Sequence, residues 1–179
     1  MNIFQKIKNR IAFYYLNKEF NRRKQNKKFY NFQTAKSIGI IFSANTQEGY
    51  KITMDFIKFL NLQNINVSAL GYVDTNEAIS YFSIKKDISI FSLKKTNWYG
   101  KPKGNSIDDF IEKPFDIMIN LCISDIYALH YILAGSNARL KISIEFPTFN
   151  YADFRIKYTK KFTQINYINE IKHYLNTIK

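Results

Sequence analysis

The sequence predicts an α/β protein: a three-layer domain with a mostly parallel five-stranded sheet, Rossmann-like or flavodoxin-like, carrying a basic helical extension at its N-terminus. Three observations predict it. Short apolar, β-branched runs alternate with stretches of helical period, the pattern of strand–helix–strand units. The first run, SIGIIFS at 37–43, has no polar alternation, as a strand covered on both faces requires. The charge is lopsided: of the 179 residues, positions 1–35 hold nine cations against Glu19 alone, a net +8 within a total of +13. The chain is thus expected to divide into a basic amphipathic arm, 1–35, and a single α/β domain, 36–179.

The arm should be helical over much of 2–32, because it contains no proline or glycine and its apolar residues recur at helical steps. Phe4, Ile7, Ile11 and Tyr14 or Tyr15 step round one face, and Lys6, Lys8, Asn9, Arg10 and Asn17 occupy the other. After Phe20 the stripe fades into NRRKQNKKFYNF. Three readings stay open for it. The stripe packs on the body or on a second copy; it lies in a membrane interface; or the arm threads into RNA, with Phe29, Tyr30 and Phe32 stacking on bases or instead seating the arm.

The first strand leads through the loop 44–49 into a helix whose Tyr50, Met54, Phe56, Ile57 and Leu60 share one face. Thr46 is the expected N-cap, and Glu48 sits near the positive helix end. The loop lacks both the glycine spacing of a dinucleotide fingerprint and the Gly-Lys-Ser/Thr of a P-loop, so no cofactor is predicted. A second strand spans 66–73, and Asp74 and Thr75 are placed to cap a short helix at 76–82. A third strand at 87–93 runs into the most distinctive loop, 94–105, which holds the only tryptophan, Trp98, with four lysines.

Ser106 is read as the cap of a helix at 107–113, where Asp108 and Asp109 are helix-end carboxylates rather than a metal pair. The fourth strand, 115–123, is followed by Ser124 as the expected cap of a helix at 125–134, stopped by Gly135. The fifth strand, 138–145, alternates Leu140, Ile142 and Ile144 with Arg139, Lys141 and Ser143, which predicts an edge strand with one wet face. Residues 150–161 read as an irregular connection and 164–178 as a last amphipathic helix.

The single cysteine, Cys122, excludes a disulfide framework or a cysteine zinc site within one chain and fits a cytoplasmic location. No apolar run approaches the roughly 20 residues needed to span a bilayer. His130 and His173 have no paired ligand nearby in sequence, and a Cys122–His130 dyad is disfavoured by their spacing.

The succession of a basic N-terminal helix, SIGIIF, GYVD, the NWYGKPK loop, FDIMINL and ALHYILAGSNARLKIS resembles a small family of uncharacterised bacterial proteins. The segments Trp98-Tyr99-Gly100-Lys101-Pro102 and Phe115-Asp116 carry the resemblance most specifically. It implies one compact cytoplasmic domain and carries over no catalytic residue.

The leading functional expectation is a non-catalytic nucleic-acid-binding accessory protein, associated with RNA or the ribosome. It would dock through Lys6, Lys8, Arg10, Lys18, Arg22, Arg23, Lys24, Lys27 and Lys28 of the arm and Lys94, Lys95, Trp98, Lys101 and Lys103 of the loop. The first alternative is an enzyme or binding module for a small anionic metabolite, held in a crevice at the strand C-terminal ends by Ser43, Asn45, Thr46, Asn97, Asn120 and Ser124, with Lys94 beside them. The second is a peripheral protein on an anionic membrane surface, anchored by the N-terminal helix.

Overall fold

The computed structural model describes residues 3–23, 27–75, 87–157 and 162–177. In chain order the elements are α1 (Ile3–Arg22), β1 (Ser37–Ser43), α2 (Gln47–Leu62), β2 (Asn66–Val73), β3 (Ile88–Ser92), a 3-10 turn (Leu93–Lys95), α3 (Asn105–Glu112), β4 (Ile117–Asn120), α4 (Tyr127–Gly135), β5 (Leu140–Ile144), β6 (Phe154–Ile156) and α5 (Gln164–Thr177).

Among the described residues the sheet has six strands, ordered β3-β2-β1-β4-β5-β6, and every neighbouring pair is parallel. This is the strand order of the Rossmann sheet. β1 is central because its five middle residues are apolar or glycine and wholly buried. Its start is latched to β4: Asp116 Oδ2 accepts from the backbone N–H of Lys36 and Ser37, at 2.8 and 3.1 Å, and from Ser37 Oγ at 3.2 Å. Gly39 leaves room for Met118 and Phe115, whose nearest atoms lie 2.8 Å from where a Cβ would stand.

The two sides of the sheet carry separate cores. On one, α2 and α5 cover Ile38, Ile40, Phe42, Ile117, Ile119 and Ile142. On the other, α3 and α4 cover Ile41, Leu70, Met118 and Cys122, and Leu16 of α1 joins the same cluster. Thr46 caps α2 as predicted, accepting from Gly49 N–H at 3.1 Å. The predicted stripe Tyr50, Met54, Phe56, Ile57 and Leu60 is buried.

Several expectations are corrected. The strand count is six, not five: β6 forms within the stretch read as irregular, with Ile142 in register with Phe154. The N–H of Glu145 donates to Ile156 O at 2.9 Å, and Asp153 Oδ2 accepts from Lys141 N–H at 2.9 Å. β5 is therefore interior rather than an edge, and all five of its residues are buried, Lys141 and Ser143 included. β4 is shorter than expected, at four residues. Ser106 and Ser124 are not caps. α3 starts after Gly104, whose φ of 129° suits only glycine, and α4 starts after Ile126, whose carbonyl accepts from Leu129 and His130 N–H. The helix predicted at 76–82 lies outside the described residues.

Candidate functional site

α1 does not project from the body. It lies along α4, with Leu16 fully buried and Ala12 nearly so. Two tyrosines fasten it: Tyr127 Oη donates to Ala12 O at 2.8 Å, and the Tyr151 hydroxyl pairs with Asn17 Oδ1 at 2.9 Å. Burial pushes the Tyr127 phenol well above its ordinary pKa, so it stays a donor. At the helix end Arg23 is drawn into the body by Glu112 and by Asn137 Oδ1, the latter at 2.8 Å. The Arg23 hydrogen bonds hold the Glu112 carboxyl below its usual range.

The buried face of α1 is thus Ala12 and Leu16, with Phe20 packed against Tyr151. The apolar stripe read from the sequence is largely left in solvent: Phe4 is 62 % exposed, Ile7 49 % and Tyr14 62 %, with Ile11 half-buried. Ile3, Ile7, Arg10, Tyr14 and Lys18 follow one another at three- and four-residue steps, so cations and apolar groups alternate along one face rather than segregating.

The flank of α1 that carries Phe4 and Tyr15 meets the lysine–tryptophan loop. The loop is tied internally: Asn97 Oδ1 accepts from Tyr99 and Lys101 N–H at 3.2 and 2.9 Å, and Thr96 pairs with Pro102 in an antiparallel bridge. Gly100, at φ 94°, makes the reversal and packs on the Tyr127 ring. Tyr99 stacks on Tyr15 of α1 with centroids 5.2 Å apart, and the half-exposed Trp98 lies 6.1 Å from Phe4. Beside this seam runs an open groove of about 820 Å³ walled by Phe13, Tyr14, Tyr99, Tyr127 and Phe149, with Lys8 and Arg10 at its margin. Sequence reasoning missed Tyr127 and Phe149. Their only signal is aromatic abundance, which does not say which rings meet.

The predicted cations separate into two groups. Lys6, Arg10, Lys18, Lys94, Lys95 and Lys103 are exposed, Lys8 is half-buried, and none of them forms an ion pair among the described residues. The rest are largely engaged by the protein. Arg22 pairs with Glu19 at 3.0 Å, Lys27 with Asp153 at 2.8 Å, and Arg23 with Glu112. Lys101 lies over the Tyr131 ring at 5.1 Å, and the exposed Lys28 over Tyr30 at 5.3 Å. Lys24 lies outside the described residues. Tyr30 and Phe32 are buried: Arg139 donates to Tyr30 Oη at 2.7 Å, and Phe32 packs on Phe59. They seat the chain on the body, and only Phe29 of that trio is exposed.

The crevice residues are bound into the scaffold to differing degrees. Asn45 Oδ1 accepts from Asp74 N–H, Thr46 caps α2, and Asn97 shapes its own loop. Asn120 is fully buried, its Oδ1 accepting from Cys122 N–H. Tyr167 of α5, itself fully buried, donates its hydroxyl to Asn120 O at 3.0 Å, at the end of β4 beside the point where the strand order reverses. Ser43 is half-buried, while Ser124 and Lys94 are exposed. Cys122 donates to Ser124 O, and burial pushes its thiol up to about 11. His130 Nε2 pairs with Asp125 at 2.9 Å under Phe146 and Phe149, so the two residues are engaged elsewhere rather than forming a dyad. Among the described residues no group of three His, Cys, Asp or Glu is arranged to hold a metal, and no helix is long and apolar enough to cross a membrane.

Fold and surface together define a parallel-sheet α/β protein of Rossmann strand order in which α1 meets the lysine–tryptophan loop through aromatic rings. A family of unknown function, DUF6913, matches residues 8–178, and the chain belongs to that family. No curated protein and no solved structure matches the chain.

Proposed function

We propose that this is a non-catalytic, cytoplasmic nucleic-acid-binding accessory protein that docks single-stranded RNA, such as the RNA exposed on a ribosome, on the face shared by α1 and the 93–104 loop. The observation that carries the reading is the joining of Phe4 to Trp98 and Tyr15 to Tyr99, which merges the basic helix and the lysine loop into one surface. Stacking platforms interleaved with cations are what a single strand requires: every base offers a face to an aromatic ring, and every phosphate a charge to a lysine. The interleaving of Arg10 and Lys18 with Ile7 and Tyr14 also favours a nucleic acid over a lipid surface, because an interfacial helix keeps its apolar and charged faces apart.

Point substitutions test this better than truncation, since α1 is part of the packed body. Binding of a fluorescein-labelled oligouridine is followed by anisotropy against salt concentration for the native protein and for a K6E/R10E/K18E variant. Single-stranded contacts contribute about −0.7 to the log K against log salt slope per phosphate, so the variant should lose roughly 2 from that slope. Trp98→Ala should weaken binding about tenfold or more, as loss of one stacked base does. Equal affinities and slopes in all three proteins, or binding of the native protein to anionic vesicles but not to oligouridine, would refute the proposal.

A further inference from the structure

At the opposite end of α1 from Trp98 lies a second, smaller cavity of about 310 Å³, lined by Phe20, Arg23, Lys27, Arg139, Lys141 and Asp153 among others. It is built from inside the fold. Lys141 belongs to an interior strand and is 5 % exposed, and the Arg23 side chain is 12 % exposed. Their donors exceed their acceptors. Lys141 Nζ has three hydrogens and makes one bond, to Ala134 O at 2.9 Å, among the described residues. Arg23 directs its Nη atoms to Glu112 and Asn137, and its Nε is buried with no partner. Asp153 is already committed to Lys27 and to the backbone of Lys141.

Buried cations without counter-charge are unfavourable, and an orphaned guanidinium N–H is rare in a folded protein. Four cations and one carboxylate, Asp153, line this cavity, while Glu112 and Glu19 act on Arg23, and Asp116 acts on Arg139, from outside it. The lining itself is thus predominantly cationic, and an Arg edge beside a Lys ammonium is suitable donor chemistry for phosphate oxygens. The volume falls at the small end of ligand sites and exceeds a bare phosphate, leaving room for an organic portion against Phe20.

We infer that this cavity is a binding site for a phosphomonoester group, held by Lys141 and Arg23 at its inner wall and by Arg139 and Lys27 at its rim. It lies about 24 Å along the helix axis from the Phe4–Trp98 contact of the RNA face, sixteen residues at the helical rise, although Lys18 of that face comes within one turn of Phe20. Lys141 acts as a structural cation whose remaining hydrogens await an anion.

The test uses the full chain, with inorganic phosphate and ribose 5-phosphate as probes against sodium chloride of matched ionic strength. Melting temperature and calorimetric titration are the readouts. Ribose 5-phosphate at a hundredfold excess over its Kd should raise Tm by roughly 5 °C or more. Lys141→Met should weaken binding at least tenfold. Arg139→Gln, a change at the exposed rim, should weaken it too and serves if the first variant fails to fold. A K6E/R10E variant, altered only in the first half of α1, should bind the sugar phosphate as the native protein does, which separates failure of this site from failure of the RNA reading. No rise above the chloride control, or equal binding by native, Lys141→Met and Arg139→Gln proteins, would overturn the inference.

Discussion

Lys141 offers the most direct test of the packing, because its burial has a calculable consequence. Burial is the main cause that draws its ammonium down from the ordinary 10.5 to about 8; Asp153 opposes the shift, and Arg23 and Lys27 reinforce it. In buffer free of phosphate, both native and unfolded chains carry the Lys141 proton below pH 8, and the native state bears the full penalty of the buried charge. Between pH 8 and 10.5 the unfolded chain keeps a proton that the native chain has released, so stability rises with pH across that window. The shift corresponds to about 3 kcal/mol. Lys141→Met keeps the length of the side chain and removes the charge, at the loss of the bond to Ala134 O, worth about 2 kcal/mol while the amine is charged and about 1 kcal/mol once it is neutral. The variant should therefore be about 1 kcal/mol more stable than the native protein at pH 7 and about 1 kcal/mol less stable near pH 10.5. Urea unfolding of both proteins followed by circular dichroism, at several values between these limits, measures the difference. The buried tyrosines titrate in both proteins, so their contribution cancels in that difference. Parallel stability profiles would show that the ammonium is solvated, and the account of its burial would fail.

Two further outcomes follow from the geometry. Leu16→Ala removes the most deeply buried side chain of α1 and should cost 2–5 kcal/mol, lowering Tm by roughly 5–15 °C; a change within 1 °C in differential scanning calorimetry would mean that the helix is not seated as described. Cys122, buried and with its thiol at about 11, should resist iodoacetamide at pH 8 until denaturant is added, and prompt labelling of the native protein in a mass spectrum would contradict its placement.

How much of this was legible in the sequence varies by element. β1, the Thr46 cap and the buried stripe of α2 were readable because composition, period and capping chemistry agree at each position. β2 matches its predicted bounds for the same reason. β6 was not readable: three residues carry too little pattern, and the strand exists because β5 offers it an edge. β5 was placed at the edge because Lys141 and Ser143 look like solvent-facing residues. Helices cover that face instead, and Lys141 Nζ finds the C-terminal carbonyl of Ala134. For α1 the larger residues Phe4, Ile7 and Tyr14 outweighed Ala12 and Leu16 on the page. In the fold, small residues allow the close approach to α4, and the larger ones remain outside. The two halves of the candidate face were each visible, but their contact was not, since Phe4 and Trp98 are far apart in sequence. Nor does any local signal mark Glu112 and Asp153 as the partners of Arg23 and Lys27, of which only Arg23 is withdrawn from the surface.

The seating of α1 on α4 also sets an order of events during synthesis. The hydroxyl that grips Ala12 belongs to a residue 115 positions later. At roughly 5–20 residues per second, translation needs on the order of ten seconds to deliver it. Throughout that wait β1, β2 and β3 can already zip together behind the ribosome, while Leu16 and Phe20 stay wet. α1 is thus made well before the helix that shelters it, and a chain that still lacks α4 leaves Leu16 without the cover it has in the finished fold.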